Sequence, residues 1–470
     1  MKKSVPVAAA TFLLLAIAGG CRGRSGPAAP PAPAPDTVAT SRRSEPGAPT
    51  AEQVRAAFLH AWQGYRRYAW GHDDLDPLSR KPHDWYGVPL LMTPVDAYDT
   101  MLLMGLDAEA KDAKSLILDR LSFDQDISVQ VFEVTIRLLG GLLAAYQMDG
   151  DPRFLRLATD LGDRLLPAFR SSTGMPFRYV NLRTGETRDP VSNPAEIGTL
   201  MLEFGTLGQL TDRPAYYDTA KRAAEQLFAR RSPIGLVGST IDVRTGAWQD
   251  STSHVGGGID SWYEYLLKSW RLFGDDDFRR MWEASVGPMH RYLADERFGG
   301  LWYGQANMAT GERTGTRFGS LEAFLPAVLA LAGDTARAAR LMVSVNRMWT
   351  TFGIEPETLD YATMTIGAEP GYELRPESLE SAYYLYRLTG DERYQRMGAA
   401  MWVAIDRWTR TDAGFASLAD VRTRAKRDRM HSFLFAETMK YAWLLLAPPE
   451  ALDLRSVVFN TEAHPLRRTW

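Results

Sequence analysis

The chain has 470 residues, 45% hydrophobic and 24% charged, with a net charge of −3, which is a globular composition. A charge so near zero, with no long run of Lys or Arg, argues against a nucleic-acid groove. The single cysteine excludes an internal disulfide. The 13 Trp are many, and flat rings serve both cores and sugar faces.

Lys2 and Lys3 precede an apolar run at residues 7–18, followed by Gly19-Gly20-Cys21. This is a secretory signal, too short to span a bilayer comfortably. A lone cysteine there resembles the lipobox of bacterial lipoproteins. That resemblance implies a signal peptide over 1–21, lipidation at Cys21, and placement at the bacterial cell envelope, with membrane contact only through the lipid. Residues 22–50 are rich in Pro, Ala and Ser and read as a flexible tether. The folded domain is expected over 51–470, as a monomer.

From Ala51 the period is helical, and no alternating run predicts a strand. Helices are expected near 51–70, 94–106, 110–120, 127–147, 152–168, 193–210 and 214–230. Others follow near 258–272, 276–293, 317–332, 335–348, 374–389, 392–409 and 430–447. One turn recurs: Gly150-Asp151, Thr211-Asp212, Gly274-Asp275, Gly333-Asp334 and Gly390-Asp391. Its period is roughly 60 residues, the mark of a helical-pair repeat. Gly closes a helix and Asp opens the next. Seven such pairs predict a closed all-α toroid, because an open solenoid would need polar caps. The segment 454–464 reads as entering the structure, and the stretches near 170–192, 232–257, 294–316 and 350–373 as loops lining one mouth.

Several acids sit where chemistry is plausible. Glu133 lies among apolar residues, a setting that raises a carboxyl pKa and suits a general acid; an ion pair with Arg137 four residues on is the plain structural alternative. Asp260 follows Gly256-Gly257-Gly258, which allow close backbone approach to a ligand, and it reads equally as a helix cap. The octet from Leu374 to Ser381 places Pro376 at a helix start, with Glu377 and Glu380 on one face beside Arg375. The helix N-terminus favours their charged forms, as a general base or cation site requires; a well-capped helix is the alternative. Glu437 is another acid on an apolar helix. The segment Phe459 to Pro465 offers oxygen donors but no Cys or spaced His pair, so a metal there is hard, Ca²⁺ or Mg²⁺, and zinc lacks a ligand set. The basic stretch 422–429 reads as a solvated loop.

In this order the segments resemble glycoside hydrolase family 47, the class I α-1,2-mannosidases. The motifs are Tyr68-Ala69-Trp70-Gly71-His72-Asp73-Asp74-Leu75, Val95-Asp96-Ala97-Tyr98-Asp99-Thr100, Phe132 to Leu143, Ala195 to Thr199, Leu202-Glu203-Phe204, Asp260 to Lys268, the octet, Glu437 to Tyr441 and Thr461-Glu462-Ala463-His464. The resemblance implies an (α/α)7 barrel and inverting, Ca²⁺-dependent hydrolysis of terminal α-1,2-linked mannose in high-mannose glycans or mannosides. It makes Glu133 the proton donor and either Glu377 or Asp260 the group that activates water, with Glu377 favoured. It further implies substrate contacts from Arg137, Glu196, Glu264, Glu357, Arg375, Glu380 and Glu437. Thr461 would bind Ca²⁺ directly, with Glu380, Glu437 and Glu462 acting through water. Gly258 stands at a position tied to branch preference. The competing reading is a surface mannose-glycan-binding protein that kept the fold without turnover.

Overall fold

A computed structural model describes residues 47–470; Cys21 and nearly all of the expected tether lie outside that range. Fourteen principal helices form, each overlapping an expected one. They alternate between two kinds. Ala51–Tyr68, Asp107–Arg120, Pro152–Leu165, Pro214–Ala229, Asp276–Leu293, Thr335–Phe352 and Glu392–Thr409 form an outer ring. Met92–Met104, Val131–Asp149, Met201–Thr211, Asp260–Phe273, Leu321–Leu331, Glu377–Thr389 and residues 434–446 form the inner one.

The sequence explains the sorting. Outer helices are apolar on one stripe: Pro152–Leu165 buries Phe154, Ala158, Leu161, Gly162 and Leu165, three or four residues apart. Inner helices are buried all round, as from Ser378 to Tyr386. The inner helix Val131–Asp149 is long and apolar enough to cross a bilayer, but here it is barrel core.

Each inner helix packs on the next in sequence, and the last returns to the first. Thr100 Oγ1 donates to the carbonyl of Phe435 at 2.9 Å across that seam. The ring is therefore closed, an (α/α)7 barrel. At the tight inner-to-outer turns, Gly105, Gly150, Gly274, Gly333 and Gly390 adopt positive φ. Asp151, Asp275, Asp334 and Asp391 cap the following helices through their side chains. Asp212 differs from the expectation: it takes the left-handed glycine position itself, at φ 54°, and caps nothing.

The long outer-to-inner connections hold short antiparallel hairpins that helical periodicity did not predict. Five share one design. Asn181, Asp242, Asn307, Asp360 and Asp420 each end a strand, and each accepts the N–H two residues on, at 2.8–2.9 Å. A left-handed residue four positions after that Asn or Asp closes each turn: Gly185, Gly246, Gly311, Met364 and Arg424. The basic stretch 422–429 belongs to the last of these, where Arg427 pairs with Glu373. A further hairpin, Val458–Phe459 with Pro465–Leu466, enters the barrel, with Asn460, Glu462, Ala463 and His464 all buried.

Candidate active site

The connections run from outer-helix C-termini to inner-helix N-termini, so the inner helices point their N-terminal ends at one mouth. Acidic residues in those first turns converge on a cavity of about 250 Å³. Glu133, Glu196, Asp260, Glu264, Glu377, Glu380, Glu437, Thr461 and Glu462 line it, together with Arg137 and Arg375. Glu133, Asp260 and Glu377 stand on the second, fourth and sixth inner helices, so Glu133 and Glu377 approach from nearly opposite sides.

The floor is held by the entering hairpin. Asn460 Nδ2 donates to the carbonyl of Ile136 and to Glu203, both at 2.8 Å. Tyr265 donates to Glu203 at 2.6 Å and accepts the Thr461 N–H at 3.3 Å, which fixes Thr461 at the cavity. His464 lies 2.7 Å from Asp99 and 3.3 Å from Asp96. Burial opposes its charge, but the two aspartates outweigh it and raise its pKa to about 9. Lys440 pairs with Asp99 at 2.8 Å, and Arg137 bridges Glu462 to Glu133.

Glu133 is not enclosed by apolar side chains as expected. Its carboxyl meets Arg137 Nε at 3.0 Å, and its side chain is 23% exposed at the mouth. The inner helix carrying it opens into a π-turn at Thr135–Leu139, and Glu437 sits in another at Leu434–Thr438. Such turns mark positions where side chains are re-aimed.

The octet behaves differently from its sequence reading. Pro376 precedes the helix, which begins at Glu377. Arg375 is committed to Glu357 at 3.0 Å. Glu357 therefore sits behind Arg375, outside the cavity wall, and acts by holding that arginine. The helix N-terminus does not dominate at Glu377: burial raises its pKa to about 7, against the lowering effects of Arg375 and a backbone N–H. One of its oxygens is buried without a hydrogen-bond partner.

Asp260 is the first residue of its helix, not a cap, and burial raises it to about 8 with Glu264, Glu377 and Glu322 adding like charge. Burial also raises Glu380, Glu437 and Glu462. The three glycines divide their work. A Cβ on Gly256 would run into Glu322, so it serves packing, and one on Gly257 would run into Leu321 at the cavity wall that both line. Gly258 faces the cavity at φ +90°, which disfavours any side chain.

Glu196 lies in the cavity wall, yet its lone pairs are taken by Gln130 at 2.9 Å, Arg178 twice at 2.7 Å and Ser192 at 3.0 Å. Glu264 pairs with the buried Lys268, which reaches Glu380 at 3.9 Å. Phe433 was not singled out from sequence. It lines the cavity with Arg137 and Arg375 both over its ring, at 5.6 and 5.7 Å. No spacing signal marks it.

The donor set suits a hard cation: Thr461 and three carboxylates, with no sulfur or imidazole in the cavity wall. Among the described residues, no three His, Cys, Asp or Glu side chains gather closely enough to ligate a metal directly. That arrangement fits a cation held largely through water.

The family model for glycosyl hydrolase family 47 matches residues 57–468. The chain is 37% identical over 449 residues to an α-mannosidase I of Arabidopsis thaliana, covering 88% of this chain and 76% of that one. It is 37% identical over 445 residues to the endoplasmic reticulum mannosyl-oligosaccharide 1,2-α-mannosidase of Homo sapiens, covering 87% and 62%. Among solved structures, an α-1,2-mannosidase from Trichoderma reesei superposes with a TM-score of 0.82 at 29% identity, over 90% of this chain and all of the other.

Proposed function

The chain belongs to glycosyl hydrolase family 47 and is a glycoside hydrolase; from there we propose that it removes terminal α-1,2-linked mannose from high-mannose glycans or mannosides, with inversion and with Ca²⁺ as cofactor. What carries the reading is the set Glu133, Asp260 and Glu377, three carboxyls on separate inner helices facing one cavity beside Thr461. A binding protein needs no such set. Inversion calls for an acid and a base on opposite sides of the scissile bond.

Glu133 protonates the departing glycosidic oxygen as the C1–O bond breaks. Glu377 takes a proton from the water whose oxygen forms the new bond to C1. Of the two base candidates, the surroundings favour Glu377, because Arg375 supports its charge while Asp260 faces mainly like charges. Asp260, raised to about 8, assists as a carboxyl that keeps its proton at neutral pH. Arg137 and Phe433 hold the acid side of the cavity in place.

Thr461, with Glu380, Glu437 and Glu462, would hold Ca²⁺. When bound, the ion supplies positive charge that polarises oxygen ligands and orients sugar hydroxyls. The envelope placement through lipidated Cys21 is part of the same proposal, and loss of membrane fractionation in C21S tests it.

Incubation of the soluble domain with α-1,2-mannobiose, followed by NMR of the anomers, tests the reaction. β-Mannose is expected first, and a calcium chelator is expected to abolish its release. Absence of turnover with calcium present, or α-mannose appearing first, would overturn the reading.

A further inference from the structure

Glu133 occupies the third position of its helix, after Gln130, Val131 and Phe132. A glutamate at that position ordinarily folds back and accepts the N–H of the residue capping the helix. Here it does not: the carboxyl turns to Arg137 at 3.0 Å, and no side chain of the helix makes a cap. The reason lies in a neighbouring loop. The N–H of Gln130 is already donated to the Tyr86 hydroxyl oxygen at 3.2 Å. The N–H of Val131 goes to the carbonyl of Arg178 at 2.9 Å. Gln130 is pinned further through its side chain to Glu196 at 2.9 Å, and through the strand pairing that sets it opposite Tyr179.

Tyr86 itself is half-buried. Its oxygen accepts from Gln130, and among the described residues its own hydrogen is donated to none. After burial, the nearby carboxylate of Glu133 is the strongest influence on this hydroxyl, and both hold its proton in place. A neutral hydroxyl therefore occupies the backbone N–H three residues ahead of the carboxyl that faces the cavity.

We propose that Tyr86 is a positioning residue for the proton donor: it takes the backbone N–H that Glu133 would otherwise claim, and so releases that carboxyl toward the leaving group. The inference rests on Glu133 being the acid. The loop residue acts only through Glu133, so its effect is confined to steps in which a proton is delivered to the departing oxygen. Without Tyr86, the Gln130 N–H competes for Glu133 and draws it back onto the helix.

Leaving-group dependence tests this. In α-1,2-mannobiose the C1–O electron pair ends on a sugar oxygen that needs a proton, whereas in α-mannosyl fluoride it leaves as fluoride and needs none. Y86F is expected to lower kcat on mannobiose about tenfold, the size of one lost hydrogen bond, and to change fluoride hydrolysis by no more than about twofold. E133Q should show the same split more strongly. Equal losses on both substrates for Y86F would make Tyr86 merely structural, and unchanged rates on both would remove it from the site. Failure of E133Q to discriminate the substrates would instead reject the acid assignment, and an inert wild type would reject the hydrolase reading.

Discussion

Two clusters of buried charge meet at the cavity, and they are built on opposite terms. On the floor, Asp96, Asp99 and Glu462 are paired with Arg137, Lys440 and His464, while a fourth acid, Glu203, is held by the Tyr265 hydroxyl and the Asn460 amide and has no cation. On the wall, Asp260, Glu264, Glu377, Glu380 and Glu437 have Lys268 as their paired cation, since Arg375 is taken by Glu357. Balanced buried charge fixes geometry, and losing one partner is severe. Unbalanced buried carboxyls are disfavoured in a fold and persist where chemistry uses them. The floor is built chiefly as architecture, with Glu462 its contribution to the cavity, and the wall is where the proposed chemistry is gathered.

Substitutions should separate the two. On the wall, E377Q is expected to lower kcat on mannobiose by about 10³-fold while the melting temperature holds or rises, because an uncompensated carboxyl has been removed. Activity within tenfold of wild type would take Glu377 out of the base role. On the floor, D99A leaves Lys440 without a carboxylate and His464 with Asp96 alone, and should cost about 3–5 kcal/mol, read from the urea midpoint. A change under 1 kcal/mol would mean that the balance is incidental.

The smallest and most diagnostic effect is in pH. His464 has a folded pKa of about 9, above its ordinary value. Its contribution to stability is full below pH about 6.5 and is lost as pH rises through 9. Asp260 and Glu377 are raised too, so their contributions are full at acid pH and lost as pH climbs through about 8 and about 7. Wild-type stability should therefore decline from neutral to alkaline pH. H464Q should lose the part of that slope lying above pH 8, and a slope identical to wild type would exclude the imidazole as its source.

The helical ring was legible because long amphipathic and all-apolar stretches carry a period, and the Gly-Asp turns repeat it. The rim hairpins escaped because strands of two or three residues carry no period. A local signal did exist: Asn or Asp, then Thr three residues on, then a left-handed residue, as in Asn181 to Gly185 and Asp242 to Gly246. At the site, the acids themselves could be picked out, and the Glu133–Arg137 pair, four residues apart on one helix, was already the structural alternative in the sequence. What the sequence did not show was burial: Glu133 reads as enclosed yet is partly exposed at the mouth, and Glu377 reads as charged from its helix start yet is buried. Both depend on solvent access, which the ring sets and the adjacent residues do not. Tyr86 and Phe433 were beyond reach, because each acts across loops far apart in the chain.

The hairpin that enters the barrel is made after all fourteen helices. Thr461 and Glu462 therefore reach the cavity only after every one of those helices has been synthesised. The cavity is then completed late in synthesis, and an interruption between residues 447 and 458 leaves all fourteen helices without the hairpin that floors it.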